Sequence, residues 1–398
     1  MMKRREFMIA AGALAATPAF AQSSWNETLA AAKGKQVFFN AWGGDERTNA
    51  FIAWTAERVR AAFDIDLRHV RLRDTAEAVQ RVIAEKAAGR DSGGSVDLIW
   101  INGPNFLAMK EQRLHYGPFA ERLPNFRYVD VTGKPSNVVD FTVPVDGYAA
   151  PWRLAQIVYV YDSARLPKPP RSMAAMLAWA KENPGRLTHP TARNFLGATF
   201  LKQALYELTP DRTLLAAAPT DANYDAAVAP LWAWYDALRP NLWRRGTQFP
   251  ESGPAQRTLL NDGEIDLMIS FNPAEAAVSI ANNLLPATAR ATGLEGGTIA
   301  NTSFVSIPYN AANPAAAMVV ADFLLSGEAQ ARMNDPRHLG NPTVLDIDRL
   351  PPEQKKFFGE VPSIPGMPTA AELGRALPEP HPGWMTRLAA DWEKRVLR

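Results

Sequence analysis

VDLIWINGPNF, residues 96–106, is the stretch on which the fold turns. Val96 to Ile101 is a largely apolar run with the length of a strand covered on both faces. It breaks off into Asn102-Gly103-Pro104-Asn105, polar and backbone-exposing, and a helix is predicted to start just beyond. A buried strand that stops in small polar residues at a helix start has the pattern of the carboxyl edge of an open α/β sheet, outside which ligands bind. The break therefore reads as one wall of a ligand cleft.

The surrounding sequence repeats the pattern. Gln36 to Ala41 reads as a strand and runs at once into Trp42-Gly43-Gly44-Asp45. A helix over 49–63 follows, with Ile52, Thr55, Val59 and Ala62 on one face. Ile65 to Leu72 reads as a second strand, and Glu77 to Ala88 as a helix stopped by Gly89. Alternating strands and helices imply parallel strands with crossover helices, an α/β fold. After an excursion rich in Pro and polar residues (Leu123 to Val145), a strongly apolar strand runs from Ala155 to Tyr161, just beyond Pro151-Trp152-Arg153. Helices are predicted over 173–181, 195–208 and 224–238. A strand over 264–271 ends in Asn272-Pro273. Another, over 301–310, leads into a helix over 314–325. The tail from Pro351 to Pro382 is Pro-rich, and a terminal helix opens at Gly383-Trp384.

With 398 residues the chain is too long for one ordinary core, so two lobes are expected. Hydrophobic residues make up 47% and charged residues 21%, a globular composition. The first residues, MMKRREFMIAAGALAATPAFAQ, have a basic start, a short apolar stretch and an Ala19-Phe20-Ala21 cleavage signature, so residues 1–21 are expected to be an export signal. Arg4-Arg5-Glu6-Phe7-Met8 resembles the twin-arginine variant. The apolar stretch is shorter than the roughly 20 residues that span a bilayer. Without this segment the chain carries 40 residues of each charge sign, and no charge run points to a nucleic-acid partner. There is no cysteine, hence no disulfide, no thiolate metal site, no thiol nucleophile and no lipidated cysteine behind the signal. The mature protein is expected free in the periplasm.

The usual catalytic constellations are absent: no G-x-S-x-G, no G-x-G-x-x-G, no P-loop, no H-E-x-x-H. The histidines at 69, 115, 189, 338 and 381 lack metal-ligand spacing, and neither a metal nor a cofactor is expected. Strands ending in small polar residues do recur, at Trp42-Gly43-Gly44, Asn102-Gly103, Thr191-Ala192-Arg193-Asn194 and Phe271-Asn272. Helix N-termini at such turns offer unpaired backbone N–H groups. Gly43, Gly44 and Gly103 would let a ligand approach the main chain. Trp42, Trp152 and Phe271 are candidate flat walls or cation–π faces. Trp100 is expected in the core. Arg153 and Arg193 are candidates for gripping an acidic ligand group.

Further along, Ser303-Phe304-Val305-Ser306-Ile307-Pro308-Tyr309-Asn310, followed by Leu324-Leu325-Ser326-Gly327-Glu328-Ala329-Gln330, resembles the extracellular (periplasmic) solute-binding proteins of ABC importers. Residues 96–103, 123–130 and 241–250 resemble the YnjB-type branch in particular, and the resemblance spans nearly the whole mature chain. It implies a two-lobe periplasmic-binding-protein-like fold of type II, each lobe a mostly parallel sheet flanked by helices, joined by crossing hinge strands. Lobe one would comprise 22–152 with a return over 301–398 that includes the C-terminal helices. Lobe two would comprise 153–300. Asn301 and Ser303, on the returning strand, join the candidate ligand contacts. The implied role is capture of a small polar molecule, thiamine-like or another metabolite, by a monomer that docks on an inner-membrane ABC permease without chemistry. Relatives are expected to carry smaller residues where this chain has Arg153-Leu154, so an Arg153 that faces the cleft would alter the ligand charge preferred. The alternative is an exported periplasmic hydrolase using paired carboxylates.

Overall fold

The structure, a computed structural model, describes residues 25–359, 361–362 and 364–397. The expected export signal over 1–21 lies outside the described residues.

The first part of the chain runs α1 (Trp25–Ala32), β1 (Gln36–Trp42), α2 (Glu46–Phe63), β2 (Asp66–Leu72), α3 (Ala76–Ala87), β3 (Leu98–Ile101) and α4 (Gly103–Glu111). The expected excursion follows, as 3-10 turns and a two-rung hairpin, β4 (Val139–Asp140) with β5 (Val143–Pro144). Two strands almost in continuity, β6 (Ala149–Gln156) and β7 (Val158–Asp162), carry the chain into a second body. There it forms α5 (Met173–Glu182), α6 (Phe195–Leu208), α7 (Asp221–Leu238), α8 (Gly253–Asn261), β8 (Leu267–Ser270), α9 (Glu275–Ala281) and β9 (Ala289–Thr292). The long strand β10 (Thr298–Ser306) leads back, followed by α10 (Pro314–Leu324), α11 (Gly327–Asn334) and α12 (Pro352–Gly359). Last come α13 (Ala370–Leu373), β11 (Ala376–Leu377) and α14 (Pro382–Val396).

The first sheet has the order β11-β10-β3-β1-β2, with β6 pairing β10. β1 is parallel to β2 and to β3, as alternating strands and helices require. β10 runs antiparallel to β3 and β6. The second sheet, β8-β7-β9, departs from the mostly parallel expectation: β7 is antiparallel to both neighbours. The reason lies in its origin. β7 continues the crossing strand β6, so the second lobe is built around a strand that enters it rather than one laid down by a βαβ unit.

Two sets of apolar clusters mark two lobes. One is centred on Phe39, Phe51, Trp152, Val305 and Phe323, with a second layer around Val79, Ile99, Phe106 and Phe304. The other is centred on Tyr159, Phe200, Trp234, Tyr235 and Trp392, with a layer around Val160, Met268 and Ala276. In α2 the predicted face holds for Ile52, Thr55 and Val59, while Ala62 is exposed in the last turn.

One boundary needs correction. The return to lobe one does not extend to the C-terminus. Residues of α10 and α11 join the first core, but Leu377, Trp384, Leu388, Trp392 and Val396 are buried in the second. The chain therefore crosses a third time beyond α12. The physical reason is the inner stripe of α14, whose two fully buried tryptophans fill the second core beside Tyr224, Tyr235 and Phe249.

A cleft between two lobes

β1 ends at Trp42, and the following turn closes on Asp45, whose carboxylate caps α2 by accepting from the Arg47 backbone N–H at 3.2 Å. β3 ends at Ile101, and Asn102 opens α4. β8 ends at Ser270, and its turn runs through Phe271 and Asn272 to α9. Asn194 caps α6. These three strand-to-helix turns and the capped start of α6 border one cavity of about 600 Å³; the short strand that would have led into α6 is reduced to an isolated bridge at Leu187. The walls come from both lobes and from the crossing strands, where Arg153 of β6 and Ser303 of β10 lie directly opposite in register.

Of the residues expected at a ligand, Trp42, Asn102, Arg153, Arg193, Asn194, Phe271, Asn272 and Ser303 line this cavity. Their polar groups are not equally available. Arg193 stands at the rim with its guanidinium on both oxygens of Glu393, at 2.8 and 3.1 Å. Asn194 spends its amide on the α6 cap and on the Glu251 carbonyl. Asn272 donates to the Leu339 carbonyl at 2.7 Å and accepts from the Ala274 N–H. Asn102 and Ser303 make no side-chain hydrogen bond to the described residues, which leaves amide and hydroxyl to the cavity.

Trp152 is corrected from wall to core. It is fully buried and packs edge-on against Phe39 and Trp100, with ring centroids 6.2 and 5.2 Å away. Alternation along β6 turns Arg153 to the cavity and its neighbour away. Trp100 is the converse: expected in the core, it is half-buried and forms part of the wall.

The three glycines serve the protein rather than a ligand. Gly43 donates its N–H to the Leu72 carbonyl and accepts from the Asn49 amide. A Cβ at Gly44 would stand 2.4 Å from the Trp42 indole, so this glycine makes room for the ring. Gly103 adopts φ +56°, fits against the Phe141 ring, and gives its N–H to the Asp140 carboxylate at 2.6 Å. Asn301 is also corrected: its amide donates to Glu379 in a buried cluster with Lys202, outside the cavity lining. For Gly43, Gly103 and Asn301 a neighbouring group of the fold satisfies the atom that spacing alone had offered to a ligand.

The inner wall holds side chains that turn chemistry does not single out. Arg47, in the first turn of α2, reaches Asp45 at 3.2 Å and, across the cleft, Glu275 at 3.2 Å. Glu275, in the first turn of α9, also accepts from Arg257 of α8 at 3.0 Å and from the Ser279 hydroxyl at 2.9 Å. Burial alone would raise the Glu275 pKa, but Arg47 and Arg257 overcome it and hold the carboxyl below the usual glutamate range. The signal that could have found Arg47 and Glu275 is their place one turn beyond the strand ends. Arg257 offers none, since it sits inside a helix.

Among the described residues no group of three or more His, Asp or Glu converges to hold a metal ion, and no helix is long and apolar enough to cross a membrane.

Comparison with known proteins agrees with this geometry. The family described as bacterial extracellular solute-binding protein matches residues 54–355. Protein YnjB of Escherichia coli (strain K12) is 44% identical over 370 residues, 93% of each chain. Among solved structures, a putative spermidine/putrescine ABC transporter protein from Listeria monocytogenes superposes with a TM-score of 0.64 at 16% identity, covering 91% of this chain and 99% of that one. The periplasmic binding protein AfuA from Actinobacillus pleuropneumoniae, solved with fructose-6-phosphate, gives 0.62 at 14% identity, with the same coverage.

Proposed function

Because this chain belongs to the bacterial extracellular solute-binding proteins, we propose that it is the substrate-binding component of an ABC-type importer, which captures a small polar molecule between its lobes and hands it to a membrane permease. The observation that carries this reading is the cavity of about 600 Å³ walled by both lobes, with Arg47 of one lobe reaching Glu275 of the other across it. Contacts from both lobes make affinity depend on closure, the requirement for a hinged trap. The protein works in the periplasm as a monomer, delivered there by the segment over 1–21.

The inner wall supports binding over hydrolysis. Asp45 and Glu275 are both engaged by Arg47. Arg47 and Arg257 hold the Glu275 carboxyl below the usual glutamate range, which makes it a poor general acid near neutral pH. The similar structures include one described for polyamines and one holding a sugar phosphate, so the fold accepts ligands of either charge. Thiamine-like cations and acidic metabolites therefore both belong in the screen.

The test is a thermal-shift screen of the mature protein with vitamins, amino acids, polyamines, sugars and organic acids. A ligand present at 100 times its Kd stabilises by about 2.7 kcal/mol. Small-angle scattering should show compaction with the same compound. If no compound raises the melting temperature, the reading fails.

A further inference from the structure

The charges on the inner wall do not balance. Five arginines (47, 73, 153, 193 and 257) and four carboxylates (Asp45, Asp74, Glu251 and Glu275) line the cavity, and Asp45, Arg47, Glu275 and Arg257 are joined by ion pairs. Asp45 is taken by Arg47, and Glu275 by Arg47 and Arg257. Arg153 has no carboxylate partner among the described residues, and unlike Arg73, also without one but exposed to solvent, it stands part-buried in the wall. Its contacts are the Thr48 hydroxyl at a long 3.5 Å and the face of Trp100, 5.4 Å from guanidinium carbon to ring centre. Burial draws its pKa down to about 10, with Arg47 adding to the effect and Asp45 and Glu275 opposing it, so it stays charged at neutral pH. At the same wall Arg47 Nη1 is buried with no hydrogen-bond partner.

Arg153 is part-buried at the cavity wall, and a partly desolvated charge without a partner gains when an opposite charge arrives. The planar guanidinium fork matches a carboxylate or phosphate in two parallel hydrogen bonds. Aromatic walls also suit a cationic guest, but the Trp100 face already carries the Arg153 guanidinium, and a second cation beside it would be repelled. Arg193, the other arginine expected to grip an acid, is neutralised by Glu393. Ser303, opposite Arg153 in register, and Asn102 elsewhere in the lining supply polar groups to the same cavity.

We infer that the ligand is an organic anion whose carboxylate or phosphate group pairs with Arg153, its body lying between Trp42, Trp100 and Phe271. This rests on the solute-binding reading and names the substrate class for the same cavity.

The experiment is calorimetric titration of the mature protein with aliphatic and aromatic carboxylates, phosphate monoesters including fructose 6-phosphate, thiamine, putrescine, spermidine and glucose, repeated with Arg153→Met and Arg153→Lys. Carboxylates and phosphates run as separate arms, which identifies the oxyanion. The expected result is binding of an acid that weakens about thirtyfold or more in Arg153→Met, less in Arg153→Lys. Unliganded Arg153→Met should melt no lower than the parent, because it loses an unpaired charge, so lost binding is not lost folding. Binding confined to cations or neutral sugars, or acid binding indifferent to both substitutions, would overturn the inference while leaving the solute-binding reading standing. Failure of every compound would sink the solute-binding reading, and this inference with it.

Discussion

Arg47 of α2 and Glu275 of α9 meet across the cleft with Nη2 and Oε2 3.2 Å apart, each from a different lobe. Both side chains are largely buried, and Arg257 holds Glu275 from the lobe-two side. The pair bridges the two lobes like a clasp.

Glu275→Gln should loosen that clasp. Removing one charge of a buried hydrogen-bonded pair costs about 2–5 kcal/mol. Here that cost falls on closure, so the radius of gyration without ligand should rise and ligand affinity should fall. In the parent, the folded pKa of Glu275 lies below its unfolded value. Its contribution is therefore present above the ordinary glutamate range and lost as pH falls through the lower folded value. A scattering series taken downward from pH 7 should show opening only once pH has fallen below the ordinary glutamate range, and a profile unchanged by the substitution would refute the clasp.

Trp152→Ala should damage the fold rather than the site directly. The ring is fully buried against Phe39, Phe51 and Trp100. Truncating such a side chain costs about 3–5 kcal/mol. Trp152→Phe should be milder, because it keeps an aromatic ring and removes an indole N–H that has no partner. Urea unfolding of both variants checks the order.

Gly44→Ala should act through Trp42. A Cβ there would sit 2.4 Å from the indole, which must then leave its place over the turn. Affinity should drop about tenfold, as in Trp42→Ala, with little change in melting temperature. The double variant should bind no worse than Trp42→Ala alone, since the two changes share one route. Additive losses would show that Gly44 contributes separately.

Lys202 and Glu379 form a fully buried ion pair at 2.6 Å, with Asn301 donating to the other oxygen of Glu379. Lys202→Met leaves that carboxylate uncompensated and should cost about 3–5 kcal/mol. Adding Glu379→Gln should recover much of the loss. A double variant as unstable as the single would show that the lysine stem, not its charge, matters.

His189 gives the fold an acid-sensitive point. Its Nδ1–H donates to the Pro190 carbonyl, and its Nε2 accepts from the Tyr235 hydroxyl, which in turn accepts from Trp392. That network suits the neutral ring, and burial pulls the pKa down to about 4. With the folded value below the unfolded one, stability is full above about pH 6.5 and falls as pH drops toward 4, by on the order of 3 kcal/mol. Asp322, pushed up to about 6 by burial, works in the opposite sense over part of this range. The measurement is therefore the difference in slope between the parent and His189→Gln, whose pH dependence should be the shallower.

Sequence alone located most of the elements and the strand ends that border the cleft. Apolar runs closed by Trp42, Asn102 and Phe271, each followed by helical periodicity, name the strand-to-helix turns because backbone chemistry at a sheet's carboxyl edge is local. Those turns do line one cavity, and the resemblance along residues 303–330 pointed to the family that the comparisons show. Tertiary structure alone decided which atoms of those turns remain free. Gly43 and Gly103 were claimed by Leu72 and Asp140, Arg193 by Glu393, and Asn301 by Glu379. It also sent α14 to lobe two and set Arg47 against Glu275. These partners lie tens to hundreds of residues apart. A hydrogen bond or ion pair depends on distance in space, and spacing along the chain carries no record of which distant group arrives to make it.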